Sequence, residues 1–157
     1  MMKLYTPFIG GKAGTGLLIF RVVTGLALMM HGYEKILHPF TWMDKMGSGV
    51  PAFFQFCAAL SEFGGGLALV AGLLTPLACV GIAITMAVAI FMVHVPQGGH
   101  WIGGPNSFES AASYLTAAVL LFFTGPGTIS ADKFLFGKSS IVESPYVTPS
   151  QKLGTGA

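Results

Sequence analysis

The sequence predicts an all-α membrane protein: an antiparallel bundle of four transmembrane helices with both termini in the cytoplasm. Three observations carry that prediction. Charged residues make up 9% of the 157 and hydrophobic residues 53%, whereas a soluble domain carries about a quarter charged residues. Mean hydropathy is +0.72. The apolar residues gather in four runs, at about 13–35, 51–74, 76–95 and 108–125, each near the roughly 20 residues that cross a bilayer core as helix. A net charge of +2 and the lack of a basic cluster exclude a nucleic-acid partner. The lipid bilayer is the partner that the composition demands.

Helices are expected because a bilayer admits only helices or closed barrels, and these runs lack period-2 alternation and exceed the length of barrel strands. The first run carries Arg21 and is followed by no small-residue cleavage site, so it reads as a span and not a signal peptide. The second and third runs meet at Thr75-Pro76, which forces a tight antiparallel hairpin. The other two connections, "ILHPFTWMDKMGSGV" and "PQGGHWIGGPNSF", share one side of the membrane. Their Trp42 and Trp101 suit the headgroup level. Lys3, Lys12, Lys133, Lys138 and Lys152 fall on the side of the termini and Lys35 and Lys45 on the other, so the positive-inside rule places both termini in the cytoplasm. The transmembrane domain covers 1–136, its last residues Phe134, Leu135 and Phe136 reading as an interfacial segment. Residues 137–157, rich in Ser, Pro, Gly and Thr, read as a disordered tail.

Several conspicuous residues have plain explanations. Cys57 and Cys79 lie inside apolar runs without metal-type spacing and read as small buried filler. Met29, Met30, Met86 and Met92 fill apolar space, and the glycines at 64–66 allow a close helix approach. His38 and His100 are loop residues, and Glu34 and Lys35 read as interfacial.

Polar residues within the spans are more informative, since an ionisable group there is costly and faces the bundle interior with a partner. Glu62 lies near the middle of span two, on one helical face with Gln55 and Gly66. In span one, Arg21, Thr24, Leu28, His31 and Lys35 form one seam. Arg21 lies roughly 7 Å in depth from Glu62 at 1.5 Å rise per residue, so an Arg21–Glu62 ion pair is expected. In span four, Glu109, Ser113, Thr116 and Leu120 share a face, and His94 closes span three. Glu62, His94 and Glu109 are the candidate catalytic groups. Arg21, His31 and Tyr114 join them as candidate ligand-binding residues, converging on a pocket open to the outer side. His31, His94 and Glu109 are also the candidate metal ligands, two imidazoles with a carboxylate suiting Fe, Cu, Mn or Zn. No HxxxH or ExxH motif supports that choice, and no flavin or nicotinamide fingerprint is present.

"HGYEKI" at 31–36, "SEFGGGLALVAGLLTP" at 61–76, the histidine of "FMVHVPQG", the glutamate of "FESAASYL" and the closing "GPGTISADKFL" together resemble the DoxX family over roughly residues 14–136. One departure is Pro76, where a basic residue is common. The resemblance implies a four-helix protein of the bacterial inner membrane. Some members are subunits of thiosulfate:quinone oxidoreductase, and others are linked to quinone or oxidative-stress resistance. It points to a quinone as cofactor or substrate; without a flavin or nicotinamide fingerprint, electrons would have to come from a redox partner subunit or a direct donor. Quinone reduction needs protons at a membrane site: His94 or His31 would bond a quinone oxygen, Glu62 or Glu109 would relay protons, Arg21 would hold Glu62 ionised, and Tyr114 would flank the ring. A metal or haem site and a non-catalytic partner or small-solute carrier are the competing readings.

Overall fold

The structure is a computed structural model. It describes residues 8–44, 47, 49–104 and 106–137. The expected disordered tail at 138–157, and Lys3, Lys45, Lys138 and Lys152 of the charge argument, lie outside the described residues. Those residues form helices and no strands: α1 Gly11–Leu37, α2 Ala52–Ala71, α3 Thr75–His94, α4 Glu109–Thr124 and the short α5 Ala131–Phe136. Three of them, α1, α2 and α3, are long and apolar enough to cross a membrane, with 27, 20 and 20 residues. Apolar α4 is shorter, at 16 residues.

The apolar surface points outward. Phe123 is 70% exposed and Met92 72%, with Ile84, Phe91 and Leu77 similarly open, which water would penalise and lipid would not. Within the bundle Leu28, Leu69, Cys79, Ile82, Met86, Ile90, Ala118 and Leu121 form one core. Cys79 is the buried filler expected, but Cys57 is exposed on the apolar surface of α2.

Glycine decides how α1 meets α2. The buried line of α1 runs Gly14, Arg21, Gly25, Leu28, Gly32, one residue away from the expected Thr24 and His31, because backbones approach most closely where side chains are smallest. A Cβ on Gly25 would sit 2.6 Å from the Gly66 carbonyl oxygen, and one on Gly32 would sit 2.7 Å from the Phe63 nitrogen and 2.9 Å from the Glu62 Cβ. α3 packs chiefly on α4, α2 joins the two pairs, and α1 touches α4 only lightly.

The predicted hairpin is present. Gly72 closes α2 in the left-handed region (φ +65°), with the Leu73 N–H bonded back to the Ala68 carbonyl at 2.9 Å, a Schellman ending. Leu74 is also left-handed, at φ +47°, a conformation that costs a non-glycine residue on the order of 1 kcal/mol. The carboxylate of Asp132 holds it there, accepting from the Leu74 N–H at 2.7 Å and the Thr75 N–H at 2.9 Å. Asp132 thereby caps α3 from a segment nearly 60 residues away in sequence.

Two helices depart from regular α geometry. α2 contains a turn of π-helix at Leu60–Gly64, and α3 ends in one at Ala89–His94. π turns are rare and concentrate at functional sites. Here they carry Glu62 and His94, two of the three residues marked out as catalytic candidates.

Candidate functional site

Two buried polar clusters lie at opposite ends of the bundle, and the structure divides the expected site residues between them.

Arg21 belongs to the end that holds the α2–α3 turn. It is 1% exposed. Its Nη1 donates to the Pro126 carbonyl at 2.7 Å and its Nη2 to the Ile129 carbonyl at 2.9 Å, while Asp132 is the negative charge that faces it. Gly72 lies directly over the guanidinium, and an added Cβ there would collide with it and stand 2.7 Å from the Ser130 Cβ. The Asp132 N–H donates to the Gly72 carbonyl at 2.8 Å. The 125–136 segment therefore folds back and ties the chain together at this end. The expected Arg21–Glu62 ion pair is not formed. Depth alone put the two residues within reach, but carbonyls of the returning segment lie closer.

Glu62 pairs with Lys35 instead. The Lys35 Nζ lies 2.6 Å from both carboxylate oxygens, with the two side chains 20% and 4% exposed. Lys35 is thus no plain interfacial residue. It stands one turn beyond Gly32, where α1 touches the Glu62 Cβ, and reaches back over the carboxylate. Its Nζ also sits 4.7 Å from the centroid of the Trp42 ring, a cation–π distance. Trp42 is held by Gln55, the other buried polar residue predicted on this face. The Trp42 Nε1 donates to the Gln55 carbonyl at 3.0 Å, and the Gln55 side chain accepts from the Met43 N–H at 2.9 Å and donates to Asp44 and Val50. The α1–α2 loop is thereby seated as a cover over the pair.

His31 and Tyr114 complete this cluster from α1 and α4. Their ring centroids are 6.0 Å apart, and Tyr114 lies within electrostatic reach of Glu62. His31 is exposed and Tyr114 half-buried.

His94 and Glu109 sit apart from this constellation. The Nδ1 of His94 lies 3.2 Å from the Asn106 carbonyl. A carbonyl only accepts, so this contact forms when Nδ1 carries a proton. Glu109 is exposed at the start of α4. The shared face of Glu109, Ser113, Thr116 and Leu120 points out of the bundle, the Ser113 and Thr116 hydroxyls donating to carbonyls of their own helix at 2.8 and 2.9 Å. Sequence periodicity found that face but not its direction. Among the described residues no group of three His, Cys, Asp or Glu side chains gathers to hold a metal ion, so His31, His94 and Glu109 do not form the ligand set considered for them. An apolar crevice of about 220 Å³ between α3 and α4, lined by Cys79, Ala83, Ala118 and Phe122, contains none of the polar groups and is not the site.

Comparison with known proteins shows the family. The DoxX family profile matches residues 16–95. The inner membrane protein YqjF of Escherichia coli K12 is 31% identical over 76% of this chain and 92% of its own length. The inner membrane protein YphA of the same organism is 30% identical over 74% and 88%. The Bacillus subtilis protein named "Putative oxidoreductase CatD" is 29% identical over 77% and 87%. No solved structure matches the chain. The chain belongs to the DoxX family, and its apolar helices and the relatives named for the inner membrane place it there.

Proposed function

We propose that this DoxX-family protein is a quinone-linked redox protein, acting as a subunit of a membrane oxidoreductase or beside one, with α1–α4 all spanning and both termini cytoplasmic. The observation that carries the reading is the buried Glu62–Lys35 pair. Taking the Glu62 charge out of water costs several kcal/mol, and ionisable groups inside spans mark proton and substrate sites. This pair joins side chain to side chain, on a π turn, beside two aromatic residues that donate and accept hydrogen bonds. A pair serving packing alone would gain little over apolar residues of the same volume.

The residues suit a quinone head. Tyr114 offers a hydroxyl and His31 an imidazole, each able to bond a ring oxygen, and both present flat apolar faces. When bound, a quinone supplies a two-electron, two-proton acceptor. Glu62 and Lys35 hold and pass protons, and the partly exposed Lys35 connects the buried carboxylate to water. His94 and Glu109 stand at the same end, where they would exchange protons with bulk water. Electrons come from a partner subunit, since the chain has no flavin or nicotinamide fingerprint. The name of the Bacillus subtilis relative favours a redox role. The glycine contacts that fasten α1 to α2, and the knot around Arg21, oppose the rocking that a solute carrier needs.

The test is the quinone content of protein purified in mild detergent, for the wild type and Glu62→Gln. The expected result is quinone that co-purifies with the wild type and is lost from the variant. Failure of the wild type to bind any added quinone overturns the reading.

A further inference from the structure

The geometry points to a lateral entrance: the ligand of the Glu62 site arrives from within the bilayer, between α1 and α4, past His31 and Tyr114. Its chemical class is then a lipid-dissolved quinone with an apolar tail, and not a water-soluble quinone. This inference rests on the quinone reading above and adds the route and the tail.

The argument is by closure of the other walls. Between α1 and α2 there is no room, since a single added carbon at Gly25 or Gly32 would meet backbone at 2.6–2.7 Å. Between α3 and α4 the crevice is lined by apolar side chains alone, and the core residues Ile82 and Leu121 pack together there. The α2–α3 side is joined by the tight turn at Gly72 and by Gly65, where an added Cβ would sit 3.1 Å from Ile82. At one end the Arg21–Asp132 knot shuts the bundle. At the other the α1–α2 loop covers the pair, with Trp42 over Lys35 and Met43 buried beneath, pinned by the four hydrogen bonds of Gln55. What remains is the α1–α4 seam, where the helices touch only lightly. Leu28 packs in the core beside it, and toward the Glu62 end His31 and Tyr114 meet across it ring to ring at 6.0 Å. Aromatic side chains turn about χ1 and χ2 without breaking backbone structure. Behind them stands Glu62, 3% exposed. Polar groups behind an apolar seam in the lipid-facing wall suit an amphiphile that moves in the plane of the membrane. The partly exposed Lys35 leaves the aqueous side for protons, so the two reactants of a quinone reduction would reach one carboxylate from two directions.

The full chain in lipid nanodiscs tests this. The chain has two tryptophans, so Trp101→Phe leaves Trp42, next to Lys35, as the sole fluorophore, and a bound quinone quenches it. One probe is a benzoquinone with a long alkyl tail, the other a sulfonated anthraquinone confined to water. The inference expects saturable quenching by the first, lost in Glu62→Leu, and none by the second. A bulky maleimide placed on His31→Cys or Tyr114→Cys, with Cys57→Ser and Cys79→Ala in the background, should slow quenching by the tailed probe ~10-fold or more relative to the same unlabelled protein, since it obstructs association. Equal quenching by the sulfonated probe, or label at both positions with no effect, overturns the lateral entrance while leaving the quinone site intact. No saturable quenching by either probe overturns both.

Discussion

The two polar clusters are built from the same kinds of side chain and behave differently. Around Arg21 the cation meets backbone and a carboxylate that itself binds backbone: the guanidinium serves two carbonyls, and Asp132 serves two N–H groups. The charge is spent on fixing the path of the chain. Around Glu62 the bond runs between two side chains, and neither partner uses it to fix the path of the backbone. The first arrangement is a fastener. The second, on the function proposed above, leaves a proton-exchanging group to meet a ligand. The lesson is that an ionisable residue buried in a membrane bundle is read by what it bonds to, backbone or side chain, more than by its depth.

Four predictions sharpen or break that contrast, in order of expected effect. Arg21→Met leaves two buried carbonyls and Asp132 without their cation. It should lower stability by about 3–5 kcal/mol, the cost of breaking a buried charge arrangement by removing one member, read as thermal unfolding in detergent, while the folded fraction keeps quinone affinity. Gly25→Val or Gly66→Val forces α1 away from α2 and should cost about 1–3 kcal/mol by overpacking, with quinone binding weakened because Lys35 is carried off Glu62. Lys35→Met should cost about 1.5–3 kcal/mol, the worth of a charge-assisted bond, and also weaken the quinone affinity read from quenching of Trp42. Tyr114→Phe should change stability by within about 0.5 kcal/mol, as a half-buried substitution of the same shape does, and lower quinone affinity about 3–10-fold through one lost hydrogen bond. Should Arg21→Met abolish binding and Lys35→Met spare it, the roles of the two clusters are reversed.

Much of the frame was legible in the sequence. Composition and run length located the helices, Thr75-Pro76 located the hairpin, and helical spacing put Gln55, Glu62 and Gly66 on one buried face. The partners were not legible, for physical reasons. Arg21 bonds to main-chain carbonyls of Pro126 and Ile129, and a carbonyl has no sequence signature. Lys35 reads as interfacial because it lies near a helix end. It meets Glu62 only because Gly32 lets the helices touch one turn earlier and because a π turn displaces the carboxylate. The outward turn of the Glu109–Ser113–Thr116 face was invisible because periodicity defines a stripe without saying which neighbour it faces. Tyr114, which does face inward, is the α4 residue that joins the site. One signal was available: glycines at 25 and 32 mark a seam of closest approach, and that seam leads to Glu62.

The most direct measurement is a double-substitution cycle on quinone affinity in nanodiscs, comparing Lys35→Met, Glu62→Gln and their combination with Arg21→Met, Glu62→Gln and theirs. The account predicts that the first pair is coupled, the double variant losing no more affinity than either single one. It predicts that Arg21→Met binds like the wild type and adds nothing to Glu62→Gln. Additive losses at Lys35 and Glu62, with coupling between Arg21 and Glu62, would contradict it.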